Sequence, residues 1–442
     1  MVQPLFRDTI FALSSGRLPS GVAIIRLSGP HVCSVLESMV GSVPVPRSAS
    51  FMKMRSRSGD LIDHGLVLFF VGPQSFTGED CAEFHLHGGV ATVAACLSAL
   101  GLIGGLRAAE AGEFTRRAFM NGKIDLTEAE GLSDLIAAET ESQRVQALLN
   151  AEGGQRILYE GWRRRIVHAR AMIEAEFDFA DEEDIPFSAA SVIWTDMAEL
   201  RDEISLHISA ARRGEIVRSG LDVVILGAPN AGKSSLINAL AGRDVSIISE
   251  EAGTTRDLVE VRLDIDGYRV NLVDTAGIRD DPGNVEGIGI QKALARSSNG
   301  DLVLLVEDVT ALNSAPSAPI GVPHLRIGLK GDLISDRSPV GYDAVVSAKE
   351  STGLSELFSL LGDFVAKTVG RSSDATPIRL RQVNELHSCL DLINSSLDSY
   401  GTALELRAEE LRLAGDALAR LTGRIGVEDL LDVIFSQFCV GK

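Results

Sequence analysis

The sequence predicts a multidomain α/β-plus-α chain: an N-terminal α+β domain, a helical domain made from two separated segments, and an α/β module inserted between them. Three observations lead there. The chain has 442 residues, and at about 150 residues per domain that suggests three domains. The hydrophobic period changes along the chain, from mixed to helical, then to continuous apolar runs, then back to helical. A glycine-rich phosphate motif opens the stretch of continuous runs.

Composition narrows the function. Asp plus Glu total 61 against 42 for Lys plus Arg, a net charge of −19. With 45% apolar and 23% charged residues, the chain has enough apolar surface to offset ordering, which excludes disorder throughout. The acidic balance argues against a broadly basic nucleic-acid coat, so any nucleic-acid contact uses a local basic patch. Cys33, Cys81, Cys96, Cys389 and Cys439 are scattered, with no C-x-x-C pair. That disfavours a disulfide framework or zinc knuckle and fits a reducing cytoplasm. Thr9 to Leu13 is too short for a signal-peptide core. Phe84 to Leu106 is uncharged but holds two His and five Gly; it reads as a loop, a buried helix and a turn, not a membrane span.

Residues 1–121 mix short apolar runs with turns, and Val22 to Leu27 and Leu66 to Val71 read as strands. Residues 122–218 are helical: Ile166, Ala169, Ile173 and Phe177 recur at helical spacing, as do Met197, Leu200, Ile204 and Ile208. The acidic run Asp181 to Asp184 reads as a solvated loop. Residues 219–370 carry runs such as Val223 to Leu226 and Leu302 to Val306, the texture of buried parallel strands. After the linker Arg371 to Pro377, residues 378–442 are helical again, with Val383, Leu386, Leu390, Ile393 and Leu397 as one stripe. Two helical flanks around an α/β unit predict that the flanks pack together and the unit is an insertion.

The strongest motif is Gly227-Ala228-Pro229-Asn230-Ala231-Gly232-Lys233-Ser234, a G-x-x-x-x-G-K-[ST] loop between the strand Val223 to Leu226 and the helical run Ser235 to Leu240. Glycines let the loop amides face phosphate oxygens, and the helix adds its positive N-terminus. Lys233 reaches the outer phosphates, and Ser234 can ligate Mg²⁺. Asp274-Thr275-Ala276-Gly277 follows the strand Val270 to Val273, where a carboxylate can hold the magnesium shell. Between them, Thr254 or Thr255 in Gly253-Thr254-Thr255-Arg256-Asp257 can complete that shell when triphosphate is bound. Leu329-Lys330-Gly331-Asp332 and Ser347-Ala348-Lys349 supply base choice. Asp332 can accept from guanine N1 and N2, Lys330 can lie along the base, and the Ser347 loop can reach O6. The module resembles the translation-factor-like P-loop GTPases, with a Ras-like parallel sheet. It departs at Leu329, where the pattern N-K-x-D has Asn. The apolar Ile278 after Asp274-x-x-Gly277 cannot orient water, so the attacking water must be positioned otherwise.

The whole chain resembles the MnmE (TrmE) family of tRNA-modification GTPases. The resemblance rests on P-N-A-G-K-S-S, A-G-T-T-R-D and D-T-A-G-I-R in the module. In the first region it rests on Ser75-Phe76-Thr77-Gly78-Glu79-Asp80, His87-Gly88-Gly89, Gly112-Glu113-Phe114-Thr115 and Arg117 to Leu126. At the end it rests on Phe438-Cys439-Val440-Gly441-Lys442.

It implies a folate-binding and dimerisation domain over 1–121, a helical domain from 122–218 and 371–442, and an inserted GTPase domain over 219–370. It also implies a homodimer whose GTP hydrolysis is promoted by potassium and by pairing of those inserted domains. Asn230, Ser249, Glu251 and Thr254 match the potassium-binding positions, Ser234 and Thr255 the Mg²⁺ ligands, and Glu286 the carboxylate that orients water. The GTP contacts extend over Asn230 to Ser235, Ser249, Thr254, Thr255, Asp274 to Gly277, Lys330, Asp332 and Ser347 to Lys349. Arg26, Glu83, Lys123 and Lys442 match the tetrahydrofolate contacts, and Cys439 belongs to the same functional tail. With an FAD-containing partner, the family adds a carboxymethylaminomethyl-type group to C5 of the wobble uridine of certain tRNAs, using the folate one-carbon unit. The alternatives are a ribosome-assembly GTPase and a nucleotide-gated scaffold that does not hydrolyse GTP.

Overall fold

A computed structural model describes residues 6–178, 188–228, 230–242, 246–247, 260–274, 300–311, 320–334, 341–370, 376–398, 404–426, 428–436, 438 and 441. The chain divides into two compact units. The first joins Met1–Ser133, Ala151–Arg164 and Gly415–Lys442; the second joins Asp134–Asn150 and Arg165–Ala414.

The first unit is built on a six-stranded sheet. Its strands are β1 (Thr9–Leu13), β2 (Ser20–Ser28), β3 (Ser50–Arg55), β4 (Leu61–Phe70), β5 (Cys81–Gly88) and β6 (Leu106–Ala108), in the order β3-β4-β5-β2-β1-β6. Only β1 and β6 run parallel. Alternation assigns the faces. Ile25, Leu27, Phe84 and Leu86 point to one side, where helices Val32–Val40 and Val90–Gly101 cover them. Arg26, Glu83 and His85 therefore occupy the opposite face. The same alternation makes Phe84 to Gly88 a strand and not the expected loop: buried Phe84 and Leu86 interleave with the more accessible His85 and His87. The helix that follows was expected. Among the described residues no helix is long and apolar enough to cross a membrane.

In the second unit, a seven-stranded sheet comprises β7 (Leu221–Gly227), β8 (Ser246–Ile247), β9 (Glu260–Ile265), β10 (Tyr268–Asp274), β11 (Leu302–Asp308), β12 (His324–Leu329) and β13 (Ala344–Val346). The order is β13-β12-β11-β7-β10-β9-β8, parallel from β13 through β10 and antiparallel at β9 and β8. The continuous apolar runs reflect burial on both faces. Val223, Ile225, Leu304 and Val306 pack with helices Lys233–Ala241 and Leu354–Val369, while Val224, Leu226, Val303 and Leu305 cluster on the other side.

Helices Ser188–Ser209 and Leu380–Asp398 pack together in this unit, one from each side of the α/β insertion. The buried face of Leu380–Asp398 is Gln382, Leu386, Cys389, Ile393 and Ser396, so Val383, Leu390 and Leu397 flank it and do not centre it. The polar members are satisfied locally: Gln382 Oε1 accepts from the Ile378 amide at 2.9 Å, and Ser396 Oγ donates to the Arg407 carbonyl at 3.2 Å. A hydrophobicity stripe cannot register buried polar groups that are paired.

Candidate nucleotide site and N-terminal polar face

Strand register assembles the site. In the parallel layer, Asp274 lies opposite Ile225, Val306 opposite Gly227, Asp308 opposite Leu329, and Leu329 opposite Val346. The carboxyl ends Gly227, Asp274, Asp308, Leu329 and Val346 thus share one edge of the sheet. β7 sits at the switch point between β10 and β11, where open α/β sheets bind their ligands. The phosphate loop, the D-x-x-G segment, L-K-G-D and S-A-K each begin from one of these ends.

The loop has the backbone its sequence requires. Gly232 caps helix Lys233–Ala241 at φ 105°, and Asn230 stands at φ 64°, a left-handed conformation that asparagine tolerates better than most side chains. Lys233 is 9% exposed, and its Nζ donates to the carbonyls of Gly227 at 2.8 Å and Ala228 at 3.0 Å. The ammonium therefore lies across the loop mouth beside a helix N-terminus, a donor set that fits a polyphosphate. Ala231 is buried, whereas Asn230, Ser234 and Ser235 are exposed. An exposed hydroxyl on the first helical turn suits a magnesium ligand facing the phosphates.

At the base end, Ser347 is fully buried and its Oγ donates to Asp332 Oδ1 at 2.7 Å. The same Oγ accepts from the Glu350 amide at 3.1 Å. The Ser347 hydrogen bond, aided by Lys349, holds the Asp332 carboxyl below its ordinary pKa. Lys330 adopts φ 64° and pairs with Asp308, the end residue of β11. Burial pushes the Asp308 carboxyl up, but Lys330 and Thr310 prevail and bring it to about 2. Sequence reasoning missed Asp308, because its role depends on the strand register between β11 and β12.

The first unit brings together Arg26 and Glu83, which face each other across β2 and β5. Arg26 Nε and Nη2 both lie 3.0 Å from Glu83 Oε1. The guanidinium lies 5.8 Å from the Phe76 ring centre and 5.9 Å from that of Phe114. Lys123 Nζ donates to the Pro73 carbonyl at 2.8 Å, next to the Ser75–Asp80 loop. An acid, two bases and an aromatic face fit the carboxylate tail and hydrogen-bonding edge of a folate.

A second buried cation organises this loop and was not singled out from sequence. Arg117 is fully buried and pairs with Glu113 at 3.0 Å, Asp8 at 2.9 Å and Glu79 at 3.3 Å. Asn121 Nδ2 donates to the Thr77 carbonyl at 2.7 Å. The tail returns to this unit, where Ser14 Oγ donates to the Gly441 carbonyl at 2.7 Å. Pro229, Ser249, Glu251, Thr254, Thr255, Thr275, Ala276, Gly277, Glu286, Cys439 and Lys442 lie outside the described residues, as does the acidic run Asp181 to Asp184.

A phosphate-loop motif on the central strand β7, with the L-K-G-D segment at the end of the next strand but one, defines a P-loop GTPase module. Comparison with known proteins extends this from the module to the chain. The family model "MnmE helical domain" matches residues 126–439, and "GTP-binding protein TrmE N-terminus" matches 9–123. The tRNA modification GTPase MnmE of Brucella anthropi is 56% identical over 99% of this chain and 98% of its own. That of Chelativorans sp. (strain BNC1) is 55% identical over the same shares. A solved G domain, from the FeoB iron transporter of T. maritima, aligns with 33% of this chain and 98% of its own at 24% identity and a TM-score of 0.24. The chain belongs to the MnmE (TrmE) family of tRNA-modification GTPases.

Proposed function

We propose that this chain hydrolyses GTP in a potassium-dependent manner and, with an FAD-containing partner, adds a carboxymethylaminomethyl-type group to C5 of uridine 34 in certain tRNAs. The chain acts as a homodimer, organised as residues 1–121, 122–218, 219–370 and 371–442. The observation that carries the GTPase reading is the Lys233 ammonium over its own loop, on the same sheet edge as Asp332. GTP phosphates displace the loop carbonyls as partners of that ammonium, and Asp332 reads the guanine edge. Ser234 and Thr255 would hold Mg²⁺, which would supply Lewis-acid neutralisation of phosphate charge. Asn230, Ser249, Glu251 and Thr254 would hold K⁺, which would supply a fixed positive charge for the charge that develops during hydrolysis. Glu286 orients the attacking water, which Ile278 cannot do.

The N-terminal reading rests on Arg26, Glu83 and Phe76 on the face of the first sheet opposite Ile25 and Phe84, and on Lys123, which is bonded to the Pro73 carbonyl. These side chains, with Lys442, bind and orient a tetrahydrofolate derivative, which supplies the one-carbon unit when bound. Cys439 belongs to the same tail.

The test is reconstitution with purified chain, flavoprotein partner, methylene-tetrahydrofolate, GTP and tRNA. Modified uridine is expected in potassium buffer and is expected to fall away when sodium replaces potassium or GTP is withheld. Equal GTP turnover in sodium and potassium rejects the cation mechanism. Absence of modified uridine in the complete mixture rejects the tRNA reading.

A further inference from the structure

We infer that Leu329 is a positioning residue for the phosphate loop, holding Gly232 by shape alone and leaving purine choice to Asp332 with its Ser347 support. The inference rests on reading that loop as the nucleotide cradle. Leu329 ends β12, is 2% exposed and belongs to the main apolar cluster of the second unit. A Cβ placed on Gly232 would lie 3.3 Å from Leu329 Cδ1 and 3.9 Å from its Cβ. The leucine thus fills the space directly behind the glycine that caps helix Lys233–Ala241.

Two features make that contact consequential. Gly232 stands at φ 105°, and its carbonyl accepts the Leu236 amide at 2.9 Å, so its placement sets the first helical turn. Those first-turn amides have no partner within the helix and face whatever anion the loop holds. Leu329 itself is pinned from both sides: it lies opposite Asp308 and Val346, and its carbonyl accepts the Val309 amide at 3.1 Å.

A leucine side chain has no donor or acceptor, so it can neither hydrogen-bond the loop nor read a base edge. The segment from Leu329 to Asp332 therefore separates two tasks. Its first residue sets phosphate grip through packing. Its last residue sets base selectivity through hydrogen bonds. Changes at position 329 must weaken every nucleoside diphosphate alike, whichever purine it carries.

The experiment titrates the full chain with fluorescent mant-GDP and competes it with GDP and with IDP, which lacks the guanine 2-amino group. Leu329→Ala is expected to raise both dissociation constants about tenfold, with the GDP-to-IDP ratio within about twofold of the parent. Leu329→Val withdraws the Cδ1 contact with a smaller loss of core volume and shifts both constants in the same direction. Leu329→Met, flexible enough to refill the space, restores binding to within about twofold. Circular dichroism melts identify folded variants; if Leu329→Ala does not fold, the Val and Met variants decide.

Unchanged GDP binding in folded Ala or Val variants overturns the inference, as does a loss for GDP that IDP does not share. Lys233→Ala separates the two levels. Retained GDP binding there rejects the cradle itself. Lost binding there, with a flat Leu329 series, rejects only the buttress.

Discussion

Ser347 Oγ donates to Asp332 Oδ1 across 2.7 Å while accepting the Glu350 amide. The serine is buried and the aspartate is not, so the ordered partner fixes the accessible one. Ser347→Ala removes the donor and frees the carboxylate to rotate. Guanine should then bind about fivefold more weakly, the size of one neutral-to-charged hydrogen bond partly replaced by water. Discrimination of GDP from IDP should narrow in step. The hydrogen bond also favours the ionised carboxyl, so its loss should move the acid limb of GDP binding to higher pH. Competition titrations between pH 4 and 7 check both effects, and an unaltered acid limb would remove Ser347 from the recognition scheme.

The water-orienting role proposed for Glu286 makes a separate forecast. Glu286→Ala should bind mant-GTP within about twofold of the parent and lose at least about a hundredfold in hydrolysis. Stopped-flow binding and single-turnover phosphate release measure the two quantities independently. Persistent hydrolysis would mean that another group holds the water.

The phosphate end of this site was legible because its chemistry is local. Gly232, Lys233 and Ser234 are neighbours in sequence, and their strand and helix flank them directly. The five-strand edge was partly legible, since each continuous apolar run announced a buried strand. The Asp308–Lys330 pair was not, because it arises from register between two strands. In the N-terminal domain, alternation alone puts Arg26 on the face away from Ile25 and Leu27, yet its pairing with Glu83 needs the β2–β5 alignment. Arg117 lay hidden for a different reason. A buried arginine is so uncommon that its sequence reads as a solvated charge until three carboxylates are seen around it.

That network carries its own prediction. Burial pushes the Glu113 carboxyl up, but Arg107 and Arg117 outweigh it and hold the pKa below the ordinary value; Asp8 behaves likewise. Arg117→Met keeps much of the volume and strips the central cation. The variant should lose about 3 kcal/mol at pH 7, the cost of leaving buried carboxylates short of a partner. A depressed folded pKa contributes stability above the unfolded pKa and loses it as pH falls through the folded value. The difference between parent and variant should therefore shrink below about pH 4. Urea unfolding across that range measures it, and a pH-independent difference would assign the loss to packing.

Asp125 gives the opposite sign. Its Oδ1 accepts from the Glu128 amide and from Thr127 Oγ1, each at 2.8 Å, and Glu128 Oε2 accepts the Asp125 amide at 2.7 Å. This reciprocal cap opens helix Leu126–Ala137. The other oxygen, Oδ2, is buried and has no hydrogen-bond partner among the described residues. Burial is the main cause that raises the Asp125 pKa to about 6, with the Glu128 charge adding to it. A raised carboxyl binds its proton more tightly in the folded chain than in the unfolded one. Stability should accordingly decline as pH rises from the unfolded carboxylate value to about 6, by an amount on the order of 3 kcal/mol. Asp125→Asn keeps the Oδ1 acceptor and replaces the orphan oxygen with a group that never ionises. The variant should match the parent near pH 4 and exceed it at pH 7.5. Urea titrations at those two values decide the matter: a variant less stable than the parent at pH 7.5 would show that the cap requires the charge.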